Sequence, residues 1–105
     1  MSGWGDDEVY QRRSELVTRQ VAGETLVVPV SGQLADLQRI FALDRVSAFI
    51  WERLDGCHTL AAIREAVVAS FQVTPETARR DLEEFVGEIR TAGLIFKVAT
   101  DDGMR

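Results

Sequence analysis

The sequence predicts an α+β fold of winged-helix-like form, a β-rich first half followed by three short helices. Three observations predict it. β-Branched residues crowd the stretch from Leu16 to Val30, three amphipathic patterns with good N-caps fill Asp44 to Ala92, and an extended pattern, Leu94 to Val98, returns after Gly93.

Met1 to Ser14 mixes Gly, Asp, Arg and single aromatics without apolar periodicity. It reads as a flexible N-terminal arm, residues 1–15, in which Trp4 and Tyr10 could dock locally. From Leu16 onward Val17, Thr18, Val21, Thr25, Val27, Val28 and Val30 flank Ala22-Gly23-Glu24, which suits a hairpin with a short glycine-containing loop. Pro29 argues for an edge or a strand end, because proline cannot donate to the ladder. After the loop Ser31-Gly32-Gln33, Asp36 to Ala42 alternates Leu37, Arg39 and Phe41 with Gln38, Ile40 and Ala42 and predicts a third, edge strand.

Asp44 is an N-cap type ahead of Val46, Phe49, Ile50 and Leu54 at helical spacing, with Gly56 as the expected stop. Thr59 caps a second helix that buries Leu60, Ile63, Val67 and Phe71. Thr74 followed by Pro75 starts the third, whose stripe is Ala78, Leu82, Phe85 and Ile89 and whose end is marked by Gly93. One domain over residues 16–98 is expected, with residues 99–105 as a frayed tail.

A chain of 105 residues supports one core and is too short for two ordinary domains. With 46% hydrophobic and 28% charged residues it has the composition of a soluble globular protein. It contains no apolar run of membrane-spanning length and no secretory signal pattern, so a cytoplasmic location away from membranes is expected. Its net charge is −5, and Lys97 is the only lysine. Nucleic-acid binders present clustered positive charge to phosphates, and no basic patch is visible here.

Chemistry-bearing clusters are few. Cys57 is the only cysteine, which excludes an internal disulfide and a thiolate metal cage within one chain. It stands beside the only histidine, His58. Adjacent residues do not normally form a catalytic dyad, and the plain reading of Gly56-Cys57-His58 is a turn between helices. Glu83, Glu84 and Glu88 lie off the apolar stripe, where a solvated helix face is the ordinary outcome. No glycine-rich phosphate loop occurs. The expectation is a protein with no catalytic residues, no metal and no cofactor.

Thr59 to Phe71, the turn Gln72-Val73 and Thr74 to Ala92 could also form a DNA-binding helix-turn-helix, with a wing near Leu94 to Val98. Its recognition helix would carry Glu76, Asp81, Glu83, Glu84 and Glu88 against Arg79, Arg80 and Arg90, a net charge of −2 where a positive one is needed. An edge strand beside an amphipathic helix suggests another use, since an extended peptide can add to the strand while its side chains meet the helix. Arg79, Leu82, Val86 and Arg90 follow one flank of the third helix and could wall such a groove. By spacing alone, Val86 could equally be the margin of the core stripe and the arginines simply solvated.

Several segments in order resemble the PqqD-like family, the recognition elements for precursors of ribosomally synthesised and post-translationally modified peptides. They are Gly23-Glu24-Thr25-Leu26-Val27-Val28-Pro29, Phe41-Ala42-Leu43-Asp44, Ala48-Phe49-Ile50-Trp51-Glu52, and Leu54-Asp55-Gly56 with Thr59 and Ile63, then Asp81-Leu82, Phe85 and Ala92-Gly93-Leu94-Ile95. The resemblance spans about Leu16 to Val98. It implies a three-stranded antiparallel sheet packed on three helices, and a leader peptide added antiparallel to the third strand, between it and the third helix. That places the peptide along Leu37, Gln38, Arg39, Ile40 and Phe41, opposite Arg79, Leu82, Val86 and Arg90. Asp44 stands where many relatives have Asn, and both cap a helix. The implied role is a non-catalytic accessory protein that presents the leader of a precursor to a modifying enzyme, such as a radical S-adenosylmethionine protein, a protease or a cyclase. A winged-helix transcription regulator is the alternative. A monomer or weak dimer is expected, because an open strand edge can pair with its copy.

Overall fold

The computed structural model of the protein describes residues 5–29 and 40–98. The elements in chain order are β1 (Val9–Arg12), β2 (Leu16–Val21), β3 (Glu24–Pro29), β4 (Phe41–Leu43), α1 (Arg45–Glu52), β5 (Asp55–Thr59), α2 (Leu60–Phe71), α3 (Pro75–Thr91) and β6 (Ile95–Lys97). The strands form two antiparallel three-stranded sheets, β2-β3-β4 and β5-β1-β6.

The first sheet is the one the sequence predicts. Its hairpin turns on Ala22 and Gly23, at φ +52° and +83°, so both central residues are left-handed as a two-residue turn between right-twisted strands requires. β4 pairs with β3 in the register Thr25 with Leu43, Leu26 with Ala42 and Val27 with Phe41, and is the outer strand of this sheet among the described residues. Phe41 and Leu43 turn inward and are buried, while Ile40 and Ala42 are exposed. The strand alternates as expected, and it is the Phe41 face that meets the core. Leu37, Gln38 and Arg39 lie outside the described residues.

The second sheet corrects three expectations. Val9–Arg12, expected in a flexible arm, is the central strand, paired with β5 on one side and β6 on the other. Tyr10 is 1% exposed and belongs to the core. The preceding residues are also engaged: the carbonyls of Asp6 and Glu8 accept from the backbone N–H groups of Ala61 and Leu60, serving donors in the first turn of α2 that have no partner within the helix. Gly56, expected to stop the first helix, lies instead in β5 at φ +83°. The helix ends at Arg53, and Gly56-Cys57-His58 is strand, not turn. That left-handed backbone is what favours glycine here, since a Cβ would first meet the movable end of the Gln11 side chain. The expected wing strand forms as β6, but it pairs with β1 and closes this sheet.

All three predicted N-caps are made. Asp44, Thr59 and Thr74 accept from the backbone N–H groups of Ser47, Ala62 and Thr77, each worth about 1 kcal/mol. The helices bury Ile50 and Trp51, then Leu60, Ile63 and Val67, then Ala78, Leu82, Phe85, Val86 and Ile89. These join Tyr10 and Ile95 from one sheet and Val27, Phe41 and Leu43 from the other in a single cluster. One core thus spans both sheets.

Candidate functional site

Where β4 ends and α1 begins, two clefts meet at Asp44. The first, about 220 Å³, is lined by Asp44, Val46 and Ser47 from the start of α1 and by Asp81, Glu84, Phe85 and Glu88 from α3. The second, about 410 Å³, is lined by Gly23, Glu24, Thr25, Ala42, Leu43, Asp44 and Arg45. The second runs beside β4, the outermost described strand, and the first lies between the start of α1 and α3. An extended chain laid along β4 would direct alternate side chains toward the core side, shared with Phe41 and Leu43, and toward the outer face, shared with Ala42.

Helix geometry decides which part of α3 lines the cleft at Asp44. At about 100° per residue, Ala78, Leu82, Phe85, Val86 and Ile89 form the inward stripe, with Asp81, Glu84 and Glu88 on one side of it and Arg79, Glu83 and Arg90 on the other. The acidic flank lines the cleft at Asp44. The arginine flank faces away from it. Arg79 Nε donates to Glu83 Oε2 at 3.0 Å and lies by a cleft with Asp6, Arg64 and Pro75, and the Arg90 guanidinium sits 5.7 Å from the ring centre of Tyr10 in β1.

Of the helix half of the expected groove, Leu82 and Val86 are 1% and 0% exposed and belong to the core. Arg79 and Arg90 belong to the β1 and α2 side. On the strand half, Ile40 is 59% exposed and Phe41 is 7% exposed. The residues that line the cleft instead, Val46, Ser47, Asp81, Glu84, Phe85 and Glu88, were not read as a groove from the sequence. The signal was the spacing of 81, 84, 85 and 88, which marks one flank of the helix as plainly as 79, 82, 86 and 90 marks the other.

The Cys57 and His58 pair makes no dyad. Successive strand residues point to opposite faces, and His58 Nδ1 lies 3.0 Å from Asp55 Oδ1, which also accepts from the backbone N–H of Cys57. The His58 hydrogen bond, and then that of Cys57, hold the Asp55 carboxyl below its ordinary pKa. Among the described residues no group of three or more His, Cys, Asp or Glu is placed to hold a metal ion, and no helix is long and apolar enough to cross a membrane.

Two solved structures share the fold. A lasso peptide synthetase B1 complexed with the leader peptide matches with a TM-score of 0.69 at 18% identity, covering 83% of this chain and 96% of that one. TbiB1 in complex with the TbiA(beta) leader peptide matches with a TM-score of 0.68 at 22% identity, covering 86% and 99%. No curated protein matches the chain. The family model described as coenzyme PQQ synthesis protein D (PqqD) matches residues 24–95, well over half of the sequence. This chain belongs to the PqqD family.

Proposed function

We propose that this protein is a non-catalytic accessory module that binds the leader segment of a ribosomally made precursor peptide by strand addition to β4 and presents it to a separate modifying enzyme. The observation that carries the reading is the placement of β4, the outer strand of its sheet among the described residues, alongside the clefts that meet at Asp44. Membership of the PqqD family and the two leader-peptide complexes that share its fold support it. A strand edge supplies register through backbone hydrogen bonds worth about 0.5–1.5 kcal/mol each, and selectivity then comes from alternate side chains reaching the helix flank. The contacting residues in this reading are Ile40 to Leu43 on the strand and Val46, Asp81, Glu84 and Phe85 opposite.

A DNA-binding reading draws no support from α3, whose cleft-facing flank is acidic where a recognition helix contacts phosphates.

The test is nuclear magnetic resonance titration of the full chain with an extended peptide selected on it from a display library of random twelve-residue sequences. Amide shifts and exchange protection centred on Phe41 to Leu43 and on Asp81 to Glu88 are expected. Shifts centred on Arg79, Arg90 and β1, or a library from which nothing is enriched, would overturn the reading.

A further inference from the structure

The hairpin turn fixes which backbone groups of β4 are left for an added strand. Ala22 and Gly23, both left-handed, form the two-residue loop between β2 and β3, with Val21 opposite Glu24. Such a turn closes on a bond between the carbonyl of its first residue and the N–H of its fourth, so Val21 and Glu24 are a hydrogen-bonded pair. Along an antiparallel ladder bonded and non-bonded pairs alternate, and the N–H and C=O of one residue point to the same side of its strand. Counted from Glu24, Leu26 and Val28 also bond toward β2, opposite Arg19 and Val17, whereas Thr25 and Val27 bond toward β4. Pro29 agrees with the count: it falls in a non-bonded pair with Leu16, where its missing N–H costs the hairpin nothing.

The same count carries over to β4. Phe41 and Leu43, opposite Val27 and Thr25, turn their backbone groups to β3, and Ala42, opposite Leu26, turns its N–H and C=O outward. No strand of the described residues lies on that side. The next outward position toward the helix is Asp44, whose carbonyl is already engaged by the N–H of Ala48 at 2.8 Å as α1 begins. Resting on the strand-addition reading above, we infer that Ala42 sets the register of the bound peptide, its N–H and C=O taking the peptide's backbone bonds while Phe41 and Leu43 give none. In an antiparallel addition one peptide residue exchanges both bonds with Ala42. That residue must carry an N–H, so proline is excluded there. Its side chain shares the exposed face of Ala42, and its two neighbours point to the core side, beside Phe41 and Leu43.

The experiment uses the full chain and a twelve-residue peptide enriched on it by display, with hydrogen exchange followed at single amides. In the free protein the Ala42 N–H should exchange faster than those of Phe41 and Leu43, and peptide should slow it by a larger factor than either. Ala42→Pro removes this N–H on the side of the strand that β3 does not use, so the variant should keep the β3-β4 ladder and a melt near the parent's. It should bind the peptide at least about tenfold more weakly, because a peptide carbonyl loses its donor and the ring stands in its way. Ala42→Ser, which keeps the N–H, should bind as the parent does. Methylating the peptide's amide nitrogens one at a time should weaken binding at alternate positions only. Exchange that slows at Phe41 or Leu43 but not at Ala42, or an Ala42→Pro protein that folds and binds like the parent, overturns this inference and leaves strand addition standing. Should the proline variant fail to fold, the exchange measurement on the unaltered chain decides alone. A library from which nothing is enriched, or protection gained only away from β4, overturns both.

Discussion

Trp51 ties three elements together. Its side chain is 1% exposed, its indole N–H donates to Thr18 Oγ1 of β2 at 3.0 Å, and its carbonyl accepts from the Arg12 guanidinium of β1 at 3.2 Å. Thr18→Val keeps the shape and removes the acceptor, so a nearly buried donor loses its partner, at a cost of about 1–2 kcal/mol read as a lower urea midpoint with an unchanged slope. Tyr10 and Asp55 set the ends of the pH range. Burial, then the hydrogen bond its hydroxyl donates to Glu8, raises the Tyr10 pKa above its ordinary 10.0. The stability this group contributes is complete below 10.0 and is lost as pH rises through the folded value. Asp55 runs the other way, its pKa lowered from 3.8, so its contribution is present above that value and is lost as pH falls through the folded one. Urea melts across pH should show an alkaline fall that Tyr10→Phe reduces and an acid fall that Asp55→Asn reduces. An alkaline limb of the same depth in Tyr10→Phe would assign it elsewhere.

At the scale of elements, α3 offers neighbouring substitutions of opposite sign. Val86 is fully buried, and Val86→Asp places a carboxylate among core side chains, with an expected loss of several kcal/mol. Gly87 is one residue on, and a Cβ there meets nothing within 4 Å. Gly87→Ala should gain up to about 1 kcal/mol from helix propensity. Thermal melts of the two variants check both, and a Val86→Asp protein that melts like the parent would return that residue to the surface. The same helix shows what the sequence could and could not tell. Its cap, its Pro75 start and its stripe of Ala78, Leu82, Phe85 and Ile89 are properties of local spacing and were legible. Which flank lines the cleft at Asp44 depends on how the helix docks, and a stripe's margins look alike from both sides. The Ala22-Gly23 hairpin was legible for the same local reason. β1 and β5 were not, because Val9–Arg12 has one buried side chain and Gly56-Cys57-His58 has none. Those strands exist because each pairs with the other across the chain, a long-range fact that no local pattern carries.

For the whole molecule, the consequence is that residues 5–13 are part of the folding unit. β1 is the middle of its sheet, so removing it leaves β5 and β6 with no common partner. Tyr10 would leave the core, and two N–H groups at the start of α2 would lose the Asp6 and Glu8 carbonyls that receive them. Truncating a buried aromatic alone costs about 3–5 kcal/mol, against a total stability for such domains of about 5–15 kcal/mol. Losing the strand's ladders as well should consume what remains. Deletion of residues 1–13 is therefore expected to abolish the cooperative thermal transition, even though every residue of β4, α1 and α3 that forms the proposed peptide site is retained. Tyr10→Ala, which keeps the backbone ladder, should melt cooperatively but at a clearly lower temperature. Circular dichroism melts of the two proteins decide the matter: a deletion that unfolds cooperatively near the parent's midpoint would mean that the β5-β1-β6 sheet is an appendage, and that the β2-β3-β4 sheet and its helices stand alone.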